Sequence, residues 1–154
     1  MRKKAAQERK NGVSGRGVVS GLTRCYAWEF ASVSEYIYYS LLLEREYPEL
    51  SDMFERAALD CIERFRAIGG IILSLGYNPA LNMQIRHSGE RYECLSFENI
   101  DRILASSAER ERSSIAALDG LVGICEDCET VNRIGRIRSE KSEFLTMLER
   151  MIRS

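Results

Sequence analysis

The chain has 154 residues, 29% of them charged, with a formal net charge of −1. That length suits one domain with a buried core, and the balanced charge argues against nucleic acid as a main partner. No apolar run is long enough to span a bilayer, the basic N-terminus lacks the apolar stretch of a secretory signal, and an odd count of five cysteines is no disulfide framework; a cytoplasmic setting with reduced thiols is expected.

Residues 1–20 carry Arg2, Lys3, Lys4, Arg9, Lys10 and Arg16 against Glu8, with Gly12, Gly15 and Gly17 interrupting any helix. They read as a basic, flexible, solvated arm. A sharper reading is a tail that touches an acidic partner or a nucleic-acid backbone. The folded domain is expected over 21–154.

A helical period begins at Leu22, with Cys25, Glu29, Val33, Tyr36, Ser40 and Leu43 inward. It runs to about Glu46 and stops at Tyr47-Pro48, since proline biases its predecessor away from helix. Ser51 is a candidate N-cap for a second helix, whose seam is Phe54, Ala57, Cys61, Arg64, Ile68, Ile71 and Leu75. Gly76 and Pro79 end it. Residues 77–97 show no helical period, and a connection of that length joins parallel neighbours or crosses a bundle end.

Ser96 is the expected cap of a third helix, with Leu104, Ala108, Glu111, Ile115, Leu118, Val122 and Cys125 inward. After a break near 127–130, a fourth helix turns Ile134, Ile137, Lys141, Phe144, Leu148 and Met151 inward. The expected fold is all-α: an antiparallel four-helix bundle with one long crossover.

Each seam has one ionisable residue near its middle: Glu29, Arg64, Glu111 and Lys141. Their formal charges sum to zero. Four separate buried ions in one core would be prohibitive, whereas four ions meeting at one level can compensate each other.

The run from Glu29 through Ser40, followed by Glu44-Arg45-Glu46-Tyr47-Pro48-Glu49-Leu50, resembles the ferritin-like superfamily, in particular its rubrerythrin-type branch. So does Ala67-Ile68-Gly69 through Leu75-Gly76-Tyr77-Asn78-Pro79. The resemblance implies a site in which two helices each give one Glu and two each give a Glu-x-x-His pair to two metals. On this chain it puts Glu29 and Glu111, the latter followed by Ser114-Ile115, at the lone glutamates. The two pairs fall on Cys61 and Arg64, and on Lys141 and Phe144. A one-residue shift in the last helix would instead bring in Glu140 and Glu143. The lone glutamates remain and both pairs are gone, so a guanidinium and an ammonium are expected where the family places metal.

No cofactor, no catalytic residue and no metal ligand is therefore expected. Glu29, Cys61, Arg64, Glu111, Lys141 and Phe144 form a vestigial site. The expected role is a non-catalytic structural or interaction module, a homodimer or higher homo-oligomer with a possible protein partner and no membrane. Tyr36 reads as core; Tyr38 and Tyr39 read as an interhelix or dimer surface. The alternative is a di-metal oxidoreductase or iron-handling protein that holds iron or manganese in a divergent carboxylate site. A third reading is a thiol sensor, using a Cys61 thiolate stabilised by Arg64 or the single Cys125-x-x-Cys128 pair. His87, the one histidine, reads as a solvated residue of the long connection.

Overall fold

Helix α1 spans Arg2–Leu43, α2 Pro48–Ser74, α3 Phe97–Ile124 and α4 Cys128–Arg153. The computed structural model describes residues 2–79 and 97–154, with side chains from 15 to 79 and from 99 onward. The expected cap Ser96, His87, Cys94 and most of the connection before α3 lie outside the described residues.

The first helix departs from the sequence expectation. Its backbone is helical from Arg2, through the glycines expected to break it. A helical glycine costs about 1 kcal/mol relative to alanine, and packing offsets part of that cost here. Val18 is already core. A Cβ at Gly21 would lie 2.3 Å from Leu121 Cδ2, so the missing side chain lets α1 and α3 approach closely. The helix ends at Leu43 rather than Glu46, where Tyr47 N donates to Leu43 O at 2.8 Å.

Helix α2 also starts earlier than its candidate cap. Pro48 occupies the first turn, where a missing N–H costs nothing and its fixed φ suits a helix. Ser51 is instead buried, and its hydroxyl donates to Ser40 O at 2.8 Å, tying α2 to α1. At the other end Gly76 takes φ 86°. Gly76 N donates to Leu73 O at 3.0 Å and Tyr77 N to Ile72 O at 3.2 Å, the paired bonds of a Schellman turn. Helix α4 is capped by Asp127, whose carboxylate accepts from Thr130 N at 3.0 Å.

Cross-helix contacts set the topology. Tyr26 stacks on Phe65 while Tyr39 meets Phe54 edge-on, so α1 and α2 are antiparallel. Gly21 faces Leu121 while Tyr36 reaches Glu111, so α1 and α3 are antiparallel. Arg64 approaches Glu140 while Arg133 reaches Ser74, which makes α2 and α4 antiparallel. Helices α2 and α3 are then parallel. A helix of 27 residues such as α2 is about 40 Å long, so the chain between α2 and α3 has that length to cross. This is the long crossover the sequence implies.

The apolar core is in two parts. One gathers Val18, Leu22, Ile68, Ile71, Leu118 and Ile134; the other gathers Tyr36, Leu43, Phe54, Ala57, Leu104 and Leu148. Every helix passes from one to the other at its charged seam residue.

Candidate functional site

The four charges occupy that boundary and all are buried: Glu29 is 1% exposed, Arg64 3%, and Glu111 and Lys141 0%. The seam periodicity of each helix turns its charge inward, and packing brings the four to one level. Lys141 is the hub. Its Nζ is ion-paired with Glu29 Oε1 and lies 3.1 Å from Glu111 Oε2, so one ammonium serves carboxylates from α1 and α3. Arg64 Nε donates to Glu29 Oε2 at 3.3 Å. Arg64 Nη2 faces Cys61 Sγ at 3.4 Å, and Nη1 lies 4.0 Å from Glu140, which is largely exposed. Glu29 thus has a cation on each oxygen.

Glu111 is held differently. Its Oε1 accepts the Tyr36 hydroxyl at 2.6 Å. Its Oε2 makes no hydrogen bond, and the Lys141 contact there is one of charge rather than of hydrogen-bond geometry. Tyr36 was expected only as core. Its hydroxyl is the residue that sequence reasoning missed, and the available signal was its place two turns beyond Glu29 on the same face of α1. Burial, then the charge of Glu111, raises the Tyr36 pKa, so the hydroxyl keeps its proton and donates.

For Arg64, burial pulls the pKa down, but Glu29 and the other negative groups outweigh it and the net shift is upward. For Cys61 the balance goes the other way from the thiolate reading. Burial and then Glu29 push the thiol up to about 12, against the opposing pull of Arg64 and Lys141. Cys61 is a protonated filler at neutral pH, not a stabilised thiolate, because desolvation exceeds the attraction of a guanidinium already committed to Glu29.

Phe144 is half-buried, with its ring edge-on to Tyr36 at 5.7 Å, and packs against the apolar cluster of Tyr36 and Phe54. The alternative register of α4 is not the one adopted, since Glu140 and Glu143 are exposed. Cys125, just past the end of α3, and Cys128, the first residue of α4, are free thiols, the first half-buried and the second exposed. A flanking pair was not foreseen: Arg110 on α3 is ion-paired with Glu35 on α1 and lies 3.4 Å from Ser32 Oγ.

Chemically, the layer offers a ligand little. Glu29 is fully engaged, Glu111 has one oxygen under an ammonium, and no group of three His, Cys, Asp or Glu among the described residues is placed to hold a metal.

No protein-family model matches this chain, and no curated protein matches it. Solved structures do. One is a bacterioferritin from Desulfovibrio desulfuricans, described with its diiron site in different catalytic states. It is 21% identical, with a TM-score of 0.74 over 90% of this chain and 80% of that one. The fold is ferritin-like. Ferritin-like, diiron-carboxylate proteins from Bacillus anthracis strain Ames agree, at 14% identity and a TM-score of 0.74 over 90% of this chain and 97% of theirs. At such identities the ferritin-like resemblance concerns the course of the backbone.

Proposed function

We propose that this ferritin-like bundle, of the rubrerythrin type, is a non-catalytic structural or interaction module. In this reading the layer of Glu29, Arg64, Glu111 and Lys141 stands where diiron relatives hold metal. The observation that carries it is the buried Lys141 ammonium, paired with Glu29 and 3.1 Å from Glu111. These residues do not fit a pair of metal ions. Among the described residues a divalent cation would meet two carboxylates, no imidazole, and two fixed cations that repel it at low dielectric.

Protein purified without chelator, offered ferrous or manganous ion and then desalted, is expected to retain no stoichiometric metal by elemental mass spectrometry. Two bound equivalents with oxygen or peroxide turnover would overturn the proposal in favour of a divergent di-metal oxidoreductase or iron-handling protein.

The module reading includes self-association in the cytoplasm. Ile37, Tyr38 and Leu41 on α1 and Leu59 and Ile62 on α2 are exposed on the α1–α2 hairpin, apolar surface that a second copy would cover. Cys25, Cys61, Cys125 and Cys128 are free, as a reducing compartment would keep them. No described helix is long and apolar enough to cross a membrane. Sedimentation equilibrium should give a mass of at least two chains, lowered by Leu41→Glu; a monomer at all concentrations would remove this part of the reading.

A further inference from the structure

A trough of about 460 Å³ opens between α1 and α3, its Trp28–Ser114 end about one helical turn from the charged layer. Its volume falls within the ~300–1,000 Å³ of ordinary small-molecule sites. Gly17, Ala117 and Gly120 leave the space, and Leu121, packed on Gly21, and Ile124 give it apolar walls. Because α1 and α3 are antiparallel, Arg24, Trp28 and Ser114 share one half of the trough. Gly17 and Ile124 meet at the other, where a Cβ on Gly17 would lie 3.8 Å from Ile124 Cδ1.

Two polar features set this trough apart from a plain groove. Ser114 lines it and is 3% exposed, yet its hydroxyl makes no hydrogen bond among the described residues. Other buried helical serines here are satisfied: Ser107 donates to Ile103 O at 2.8 Å and Ser32 to Trp28 O at 2.9 Å. Among the described residues Arg24, itself exposed, is the one charge lining the trough. No carboxylate lines it, and Arg24 has no ion pair among the described residues. Apolar walls, an unpaired guanidinium and an unused serine hydroxyl are complementary to a ligand with a hydrocarbon body and an acid group.

We propose that the trough binds a single-chain amphipathic carboxylate, its hydrocarbon along the glycine-lined half and its acid group on Arg24 and Ser114. The site does not depend on the charged layer being free of metal.

Trp28, the only tryptophan of the chain, lines the trough and reports on it. Titration of the full chain with dodecanoate, below micelle formation, should change Trp28 emission saturably. Dodecyltrimethylammonium, with the same chain and the opposite charge, should not. A Cβ at Gly120 meets nothing within 4 Å, so Gly120→Leu grows into the trough without a clash and should abolish the response. Arg24→Gln, which leaves the trough open, should weaken dodecanoate about tenfold or more, as loss of a charge-assisted bond implies. Circular dichroism checks that both variants are folded. The proposal is overturned by a response that fails to saturate, by one equal in Gly120→Leu, by equal binding of the ammonium, or by unchanged affinity in Arg24→Gln.

Discussion

Lys141 Nζ lies 3.1 Å from Glu111 Oε2, and neither side chain has any exposed surface. An ion pair so placed does not add much net stability, because desolvation of both partners offsets their attraction. Its asymmetry is what matters. Lys141→Met leaves Glu29 with Arg64 alone and Glu111 with only the Tyr36 hydroxyl. The expected loss is about 3–5 kcal/mol in urea denaturation. Lys141→Met combined with Glu111→Leu restores charge balance and should recover most of it. A double variant no better than the single would show that the charges are not coupled.

Arg64 and Glu29 lend themselves to a thermodynamic cycle. Arg64→Leu strands the Glu29 Oε2 that now accepts from Nε at 3.3 Å. Glu29→Leu strands Arg64, whose other carboxylate is the exposed Glu140 at 4.0 Å, and leaves Lys141 with Glu111 alone. The double change leaves Glu111 and Lys141 as a neutral pair, and should cost about 1–3 kcal/mol less than the sum of the singles. Additive losses would mean that the layer is not one network.

Among the described residues the Tyr36 hydroxyl gives Glu111 its only side-chain hydrogen bond, at 2.6 Å. Tyr36→Phe keeps the ring against Phe54 and Phe144 and removes that donor from a buried carboxylate, a change worth about 1.5–3 kcal/mol. Tyr39→Phe is the control. Its hydroxyl donates to the half-buried Glu35, where water can substitute, so its loss should be clearly smaller in the same measurement.

Burial holds the Cys61 thiol well above its usual 9.0, at about 12. A raised folded-state value means that stability from this group is complete while both states keep the proton. It is lost as pH climbs from about 9 towards 12, where the unfolded chain sheds its proton first. The Tyr36 hydroxyl, also raised by burial and Glu111, contributes in the same direction above its own ordinary value. Stability should therefore fall at alkaline pH, and Cys61→Ala should flatten the start of that fall. At neutral pH native Cys61 should react with a thiol reagent no faster than the protein unfolds; rapid native labelling would revive a redox role.

Periodicity made much of this bundle legible in the sequence. Phe54, Cys61, Ile68 and Ile71 face inward because 3.6 residues per turn stacks them on one side of a helix, and an ionisable residue in such a stripe is conspicuous. Glu29, Arg64, Glu111 and Lys141 could be singled out for that reason. The Gly76 turn was legible because its chemistry is local. The start of α1 was not: the glycines argue against helix locally, while the contact of Gly21 with Leu121 and the burial of Val18 come from another element 100 residues away.

Only the tertiary structure decided that Lys141 rather than Arg64 bridges the two glutamates, that Tyr36 turns its hydroxyl to Glu111, that Cys61 keeps its proton, and that Arg24 and Ser114 share a trough. Sequence spacing determines which side of one helix a residue occupies. Which atom meets which depends on the rotation, crossing and separation of four helices at once, and there a shift of about 1 Å is enough to exchange one hydrogen-bond partner for another.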